Sequence, residues 1–222
     1  MPFELTLKDD CPEMIARRAQ DALHVLSDFY DLFAEDIQEA AKVMSLCFAG
    51  EQRVFTAGLG VSSCLARALA GRLVAGRASG RLPLPATALS GILASGDEGA
   101  EGLEQAFVRQ LEAYGSDGDI LVLLSPDGAQ PALVRAAQTG HEQGMFVLGI
   151  TGGDGGALAQ NDLLDLELRV PSIEESLVHE VHMGLVCLLD DLIDYYLSCK
   201  PEILKEMLHS GISRLQDDLD GE

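Results

Sequence analysis

Two short runs of apolar residues, each ending in a turn of small residues, constrain this fold more than any other feature. The first run, Ile120–Leu124, is followed by Ser125-Pro126-Asp127-Gly128, and the second, residues 146–150, is followed by a turn with four glycines. A helical pattern separates the two runs. Fully apolar strands that alternate with helices are typical of a parallel sheet covered on both faces. Ligands of such sheets bind at the carboxyl ends of the strands, so we expect a site beside these turns.

Three further apolar runs and several helical patterns complete the predicted architecture. The additional strands cover residues 53–57, 84–89 and 164–170. Helical periodicity covers residues 11–50 as a pair of helices and returns in a long helix over residues 173–198. We therefore expect an α/β fold, a three-layer α/β/α sandwich with a five-stranded parallel sheet.

Length and composition fit a single domain over residues 1–222, with its core at about residues 53–198 and a polar tail over residues 200–222. The chain is 47% hydrophobic, which is enough for a substantial core. Its formal net charge is −21, and no dense basic cluster is present. This balance excludes direct binding to a nucleic-acid backbone.

Hydrophobic run lengths and cysteine spacing indicate the cellular compartment. No apolar run reaches the length of a transmembrane helix, and no signal peptide precedes the acidic N-terminus. The five cysteines have no short paired spacing, which indicates reduced thiols. We therefore expect a cytoplasmic protein without membrane contact.

Four segments, in order and spacing, resemble the sugar isomerase (SIS) family. Within it they are similar to the phosphoheptose isomerase subfamily and to a non-catalytic relative, the DnaA initiator-associating protein. The segments are residues 58–63 (GLGVSS, against GNGGSA in the subfamily), 84–89 (LPATAL, against LPAIAL), 148–156 (LGITGGDGG, against LTGxDGG), and 180–182 with 188–194 (EVH and LLDDLID, against QEVH and LCDLID).

The resemblance implies a phosphosugar cleft at the strand ends. The ligand-binding residues that it suggests are Ser62, Ser63, Ser125, Asp127, Thr151 and Asp154. Other roles are open at two places. Ser62 and Ser63 are also suited to capping the following helix, and the glycines after Thr151 are also suited to a purely structural turn.

Departures from the family pattern bear on catalysis. The family's Glu, one half of its acid–base pair, falls on Arg72 or Leu73, and its His falls on Cys187. Aldose–ketose isomerisation needs such a pair, so no catalytic residue is assigned, and the candidates are His179, Glu180 and Cys187. The phosphate loop, STSGNS in the family, reads SPDGAQ over residues 125–130. Here a proline removes an N–H donor and Asp127 adds a negative charge.

The predicted long helix also carries candidate metal ligands. His179 and His182 lie three residues apart on one helical face, and Cys187 is two turns from His179. These three residues are the candidate metal ligands, with zinc as the metal. The simpler interpretation makes His182 a buried, hydrogen-bonded helix histidine and His179 a lining residue of the cleft. We expect no cofactor on this interpretation, and zinc only if the chain is an active isomerase.

The pattern thus predicts a phosphosugar-binding type of SIS protein that is catalytically degenerate and acts as a binding or regulatory protein. The alternative is an active aldose–ketose isomerase acting on sedoheptulose 7-phosphate, and a metal- or redox-dependent function at Cys187 is a third interpretation. Apolar helices at both ends of the chain, and the resemblance, predict a homotetramer. The initiator-associating relative contacts DnaA through a Leu–Phe pair, so a replication-initiator protein is a candidate partner. Here Leu197 matches that pair and Ser198 replaces the Phe.

Overall fold

The computed structural model describes residues 10–76, 81–91 and 100–207. Its centre is a five-stranded parallel sheet in the order β2-β1-β3-β4-β5. The strands are β1 (Val54–Gly58), β2 (Ala86–Ala88), β3 (Ile120–Leu124), β4 (Phe146–Gly152) and β5 (Leu166–Val170). Every residue of β1 and β3 is buried, as expected for strands with helices on both faces. The predicted parallel α/β sheet is confirmed.

Helices cover both faces of the sheet and make the outer two layers. They are α1 (Cys11–Ala49), α2 (Val61–Ala75), α3 (Ala100–Tyr114), α4 (Pro131–Glu142), α5 (Gly156–Gln160) and α6 (Glu175–Asp194). One apolar core lies between the sheet and α1, α2 and α6, and a second lies between the sheet and α3, α4 and α5. The three-layer sandwich is therefore confirmed. No helix in the described ranges is both long and apolar enough to cross a membrane.

The register of the central strands positions the turns that follow them. Gly58 of β1 pairs with Leu124 of β3, and Leu124 pairs with Ile150 of β4. The three strands therefore end almost level with one another. The turns after β1, β3 and β4 consequently lie side by side along one edge of the sheet.

The predicted N-terminal helical pair is present as two helices that run on from one another within α1. They meet at a kink where Phe33 leaves helical geometry, with φ −114° and ψ 17°. The segment contains no glycine, and its proline is in the first turn, so nothing in it stops the helix. The two predicted helices are joined through this bend.

The ends of two other elements, β2 and α6, differ from the predicted ones. Strand β2 spans three residues rather than the six predicted, because Pro83 and Pro85 cannot donate to a sheet ladder. The long helix ends at Asp194 and continues as a π-helical turn, Tyr195–Cys199, before residues 201–207 form another helical segment. The rest of the predicted tail, residues 208–222, lies outside the described residues, and so does the start of the predicted domain, residues 1–9.

Candidate functional site

The turn after β1 brings Ser62 against helix α6. Ser62 is the second residue of α2, is 1% exposed, and has its Oγ 3.2 Å from Nε2 of His179. Ser63 points elsewhere, because its hydroxyl donates to the Gly60 carbonyl oxygen at 2.7 Å. Neither serine caps α2, whose N-cap residue is Gly60. Of the two serines, Ser62 is thus the one whose hydroxyl meets a side chain of another helix, and the capping interpretation is wrong.

The turn after β3, which the family uses for phosphate, is closed by its own hydrogen bonds. The Gly128 N–H donates to Ser125 Oγ at 2.7 Å, and the Ala129 N–H donates to Asp127 Oδ1 at 3.0 Å. The Ser125 hydroxyl lies 3.2 Å from Asp127 Oδ1 and makes a shorter contact with Gln130 Oε1. These hydroxyl and N–H donors are the groups that would hold a phosphate, and all three are bonded within the turn.

The first turn of helix α4 also offers few donors. Its first residue is Pro131, which has no N–H. The N–H groups of Leu133 and Val134 both donate to the Gln130 carbonyl oxygen, at 3.0 and 3.2 Å. Few free N–H donors are thus left at this helix start, so it is poorly suited to bind an anion although it lies at the edge of the sheet.

Close backbone contacts hold the turns after β3 and β4 together. Gly128 has φ +63°, and a Cβ added there would lie 1.9 Å from the Gly155 carbonyl oxygen. The Leu158 N–H donates to the Gly128 carbonyl oxygen at 3.1 Å. Three of the glycines after Thr151 also have positive φ, and a Cβ on Gly156 would lie 2.2 Å from the Asp127 carbonyl oxygen, so their structural role, one of the two sequence interpretations, is supported.

Thr151 and Asp154 have local partners. The buried Thr151 hydroxyl donates to Glu167 Oε1 at 2.6 Å, and Asp154 Oδ1 accepts from the Gly156 N–H at 3.0 Å. Both side chains lie at the predicted edge of the sheet. Their contacts support the turn after β4, and their role toward a ligand stays a prediction.

His182 is a buried neutral histidine. Its Nε2 lies 3.0 Å from the Thr151 carbonyl oxygen, so Nε2 carries the proton. Burial lowers the pKa of His182 to about 4, because a charged imidazole loses its hydration there; the carbonyl contact partly opposes this shift, and His179 adds to it. The ring is packed edge-on to His179, with centroids 6.3 Å apart. This is the simpler of the two roles considered for His182.

The other candidate metal or catalytic residues do not converge with His179. Glu180 lies on another face, where it accepts a hydrogen bond from Arg18 of α1 at 2.5 Å. Cys187 faces α1 beside Tyr30, whose pKa is raised by burial and by this thiol. In the described part of the chain, no three His, Cys, Asp or Glu side chains converge as a metal-binding set. The zinc of the alternative interpretation stays a prediction.

The structure contains one charged cluster that the sequence analysis did not predict. Arg72, at the position of the family's Glu, has Nη2 3.2 Å from Oδ2 of the buried Asp190. Asp190 Oδ1 also accepts from Arg81 at 2.9 Å, and Arg81 Nε lies 2.8 Å from Asp194 Oδ1. The available signal was Asp190 itself, an acidic residue on the apolar face of α6.

Comparison with protein families identifies similar proteins. The model of the SIS domain matches residues 19–152 of this chain. A phosphoheptose isomerase of Halorhodospira halophila is 32% identical over 188 residues, which cover 83% of this chain and 95% of that protein.

Solved structures agree with the sequence comparison. A phosphoheptose isomerase from Francisella tularensis superposes with a TM-score of 0.77 at 30% identity, covering 83% of this chain and 98% of that one. A phosphoheptose isomerase from Neisseria gonorrhoeae gives a TM-score of 0.75 at 27% identity, with the same coverage. The likeness thus extends over nearly the whole length of these proteins.

Proposed function

Because this chain belongs to the SIS domain family and is a phosphoheptose isomerase-like protein, we propose that it has lost isomerase activity and acts as a binding or regulatory protein. The observation that carries the proposal is the turn after β3. The Asp127 carboxylate accepts the Ala129 N–H at 3.0 Å, in place of an external anion. A phosphate would have to displace this carboxylate or lie beside its charge.

The positions of the family's acid–base pair support the same conclusion. Isomerisation moves a proton between adjacent carbons and needs a base and an acid at the substrate. A guanidinium does not serve as a base in proteins, and that of Arg72 is paired with Asp190. If the family alignment is shifted by one residue, the position is taken by Leu73, which is buried and apolar. Cys187 faces α1, as described above.

A second candidate is an active isomerase, which the similarity to phosphoheptose isomerases favours over the first. His179, whose Nε2 lies 3.2 Å from Ser62 Oγ, is the group that supports this chemistry. A neutral histidine is a common general base. On this candidate His179 takes the role of the missing residues and the substrate is sedoheptulose 7-phosphate.

Turnover of sedoheptulose 7-phosphate separates the two candidates. We expect none from the purified protein, measured beside the H. halophila relative as a positive control. Removing one positioned acid or base lowers a rate by about 10² to 10⁴, and here both family positions are changed. Turnover on the order of 10 per second, an ordinary enzyme rate, would establish the second candidate. Loss of that turnover in His179→Gln would then identify the base.

The predicted assembly and compartment are part of the proposal. The exposed apolar side chains Met14, Ile15, Leu23 and Leu32 lie along α1 and support self-association, for which we propose a homotetramer. All five cysteines are free, which supports a cytoplasmic protein. A replication-initiator protein remains a candidate partner, and Leu197, half-buried after α6, is the residue through which we propose contact.

A further inference from the structure

Three side chains at the starts of α2 and α6 have the order of a nucleophile, a base and an orienting acid. His179 Nε2 lies 3.2 Å from Ser62 Oγ, and His179 Nδ1 lies 3.9 Å from Glu175 Oε1. Serine hydrolases use this polarity, with Nε2 toward the serine and Nδ1 toward the carboxylate. We propose that Ser62, His179 and Glu175 hydrolyse esters of short-chain carboxylic acids, an activity separate from the function proposed above.

The backbone around Ser62 suits a nucleophile. A two-residue turn, Leu59 and Gly60, joins β1 to α2, and Ser62 is the second residue of that helix, at the carboxyl edge of the sheet. The turn is tight, because a Cβ on Gly58 would lie 2.6 Å from the Ser62 carbonyl oxygen. Ser62 is thus in the first turn of the 15-residue helix α2, whose positive end would stabilise negative charge on an ester carbonyl oxygen bound beside Oγ.

The reaction needs the tautomer of His179 in which Nε2 accepts the Ser62 proton. If Ser62 donates its hydroxyl proton toward Nε2, the proton of neutral His179 is on Nδ1, toward Glu175. Glu175 is exposed and lies one turn before His179 on α6. The distance of 3.9 Å is longer than a hydrogen bond, and rotation of the Glu175 side chain closes it, since such contacts commonly tighten when substrate binds.

The chemistry balances with water as the second reactant. Ser62 Oγ attacks the ester carbonyl carbon and its proton passes to His179 Nε2. The bond to the alcohol oxygen breaks, and the alcohol leaves with that proton. Water then attacks the acyl carbon and gives a proton to His179. The bond to Ser62 Oγ breaks, Oγ recovers the proton, and the carboxylic acid leaves.

Burial limits the size of the acyl group. Ser62 is 1% exposed, and the side chain of His179 is 13% exposed. A short acyl group is the kind that can reach Oγ beside the imidazole. We therefore expect acetyl esters to react faster than esters of long acyl chains.

The test uses p-nitrophenyl acetate with the full-length protein. Acid-quenched reactions, digested and analysed by mass spectrometry, are expected to carry acetyl on Ser62. Ser62→Ala removes this adduct, and His179→Gln lowers hydrolysis by on the order of a hundredfold. The control is Ser176→Ala. This substitution removes an exposed hydroxyl of α6 that donates to Glu174, the residue before the helix, and we expect it to leave the rate unchanged.

Several outcomes would overturn the triad. They are a native protein that does not hydrolyse the ester, acetyl on a residue other than Ser62, or a Ser62→Ala variant with the native rate. Circular dichroism establishes whether each variant is folded. If Ser62→Ala does not fold, His179→Gln, which keeps a polar side chain at its position, tests the triad instead. A slower reaction of p-nitrophenyl octanoate supports the size limit. The isomerase assay is independent of these measurements, so the two proposals fail separately.

Discussion

At the scale of single residues, Asp127 takes the place that an anion has in a phosphate-binding turn. Its Oδ1 accepts the Ala129 N–H and lies 3.2 Å from the Ser125 hydroxyl. Aspartate commonly accepts a hydrogen bond from the backbone N–H two residues further along its own turn, as Asp127 does here. One carboxylate therefore satisfies the turn, and under the proposed function it would also repel an anionic ligand.

Asp127→Ser is expected to strengthen phosphosugar binding. The substitution removes one negative charge and leaves the Ala129 N–H for a ligand, and like charges about 4 Å apart cost roughly 1 kcal/mol in water, about fivefold in affinity. Calorimetry with several phosphosugars measures the effect. Asp162→Asn changes net charge equally at a distant loop and serves as control. Strong native binding that Asp127→Ser leaves unchanged would show that Asp127 does not face the ligand.

His182 is the residue whose titration should affect stability. Its pKa falls from 6.5 when unfolded to about 4 when folded, so below pH 6.5 the unfolded chain binds the extra proton. The stability contributed by neutral His182 is complete above pH 6.5 and is lost as the pH falls toward 4. The expected loss is on the order of 3 kcal/mol.

Urea unfolding of the protein at pH 7, 5.5 and 4.5 tests this dependence against His182→Gln. Glutamine keeps an N–H for the Thr151 carbonyl oxygen but does not titrate, so its stability should fall less over this range. His24→Gln, which replaces an exposed histidine, is the matched control. Equal pH dependence of the native protein and His182→Gln would contradict the assignment.

At the scale of elements, the turns after β3 and β4 act as one unit because their backbones touch. Gly128→Ala should destabilise the protein by about 3 kcal/mol, since it combines a positive φ with contact against Gly155. Gly153→Ala separates the two effects: Gly153 has the same φ of +63°, but an added Cβ would have its nearest neighbour at an ordinary 3.6 Å, so about 1 kcal/mol is expected. Denaturant unfolding measures both, and equal losses would show that the contact contributes nothing.

The charged cluster between α2 and α6 should contribute to stability through burial. Asp190→Ala removes the carboxylate that Arg72 and Arg81 share, while the buried Arg81 keeps Asp194, so the expected cost is that of a lost charged hydrogen bond, about 2 to 3 kcal/mol. The exposed Arg18–Glu180 pair is the control, because Glu180→Ala should cost less than about 1 kcal/mol. Similar losses in the two variants, measured by chemical denaturation, would argue against this role of the cluster.

At the scale of the whole molecule, α1 presents more apolar surface than the described chain covers. Light scattering at micromolar concentration is expected to give a mass several times the 23.7 kDa of one chain. High salt should change it little, because apolar contacts are not screened. Replacement of the exposed Leu23 by Glu should weaken the assembly. A species of 23.7 kDa at that concentration would refute self-association.

Much of this architecture could be predicted from local pattern. The runs Ile120–Leu124 and 146–150 identified a parallel sheet because a strand buried on both faces must be apolar throughout. The small residues after each run marked the edge where Ser62 and Ser125 lie. The bend at Phe33 was not predictable, because no glycine or proline marks it.

The sequence alone determined the fold class, its order of elements and the edge of the sheet where a site lies, since each follows from periodicity and turn chemistry along the chain. The tertiary structure decided which side chains meet. It placed Ser62 against His179 across 117 positions and Arg81 against Asp190 across 109. It also separated Cys187 from His179, although both lie on α6. Such contacts depend on how helices pack over the sheet, and no spacing within one segment contains that information.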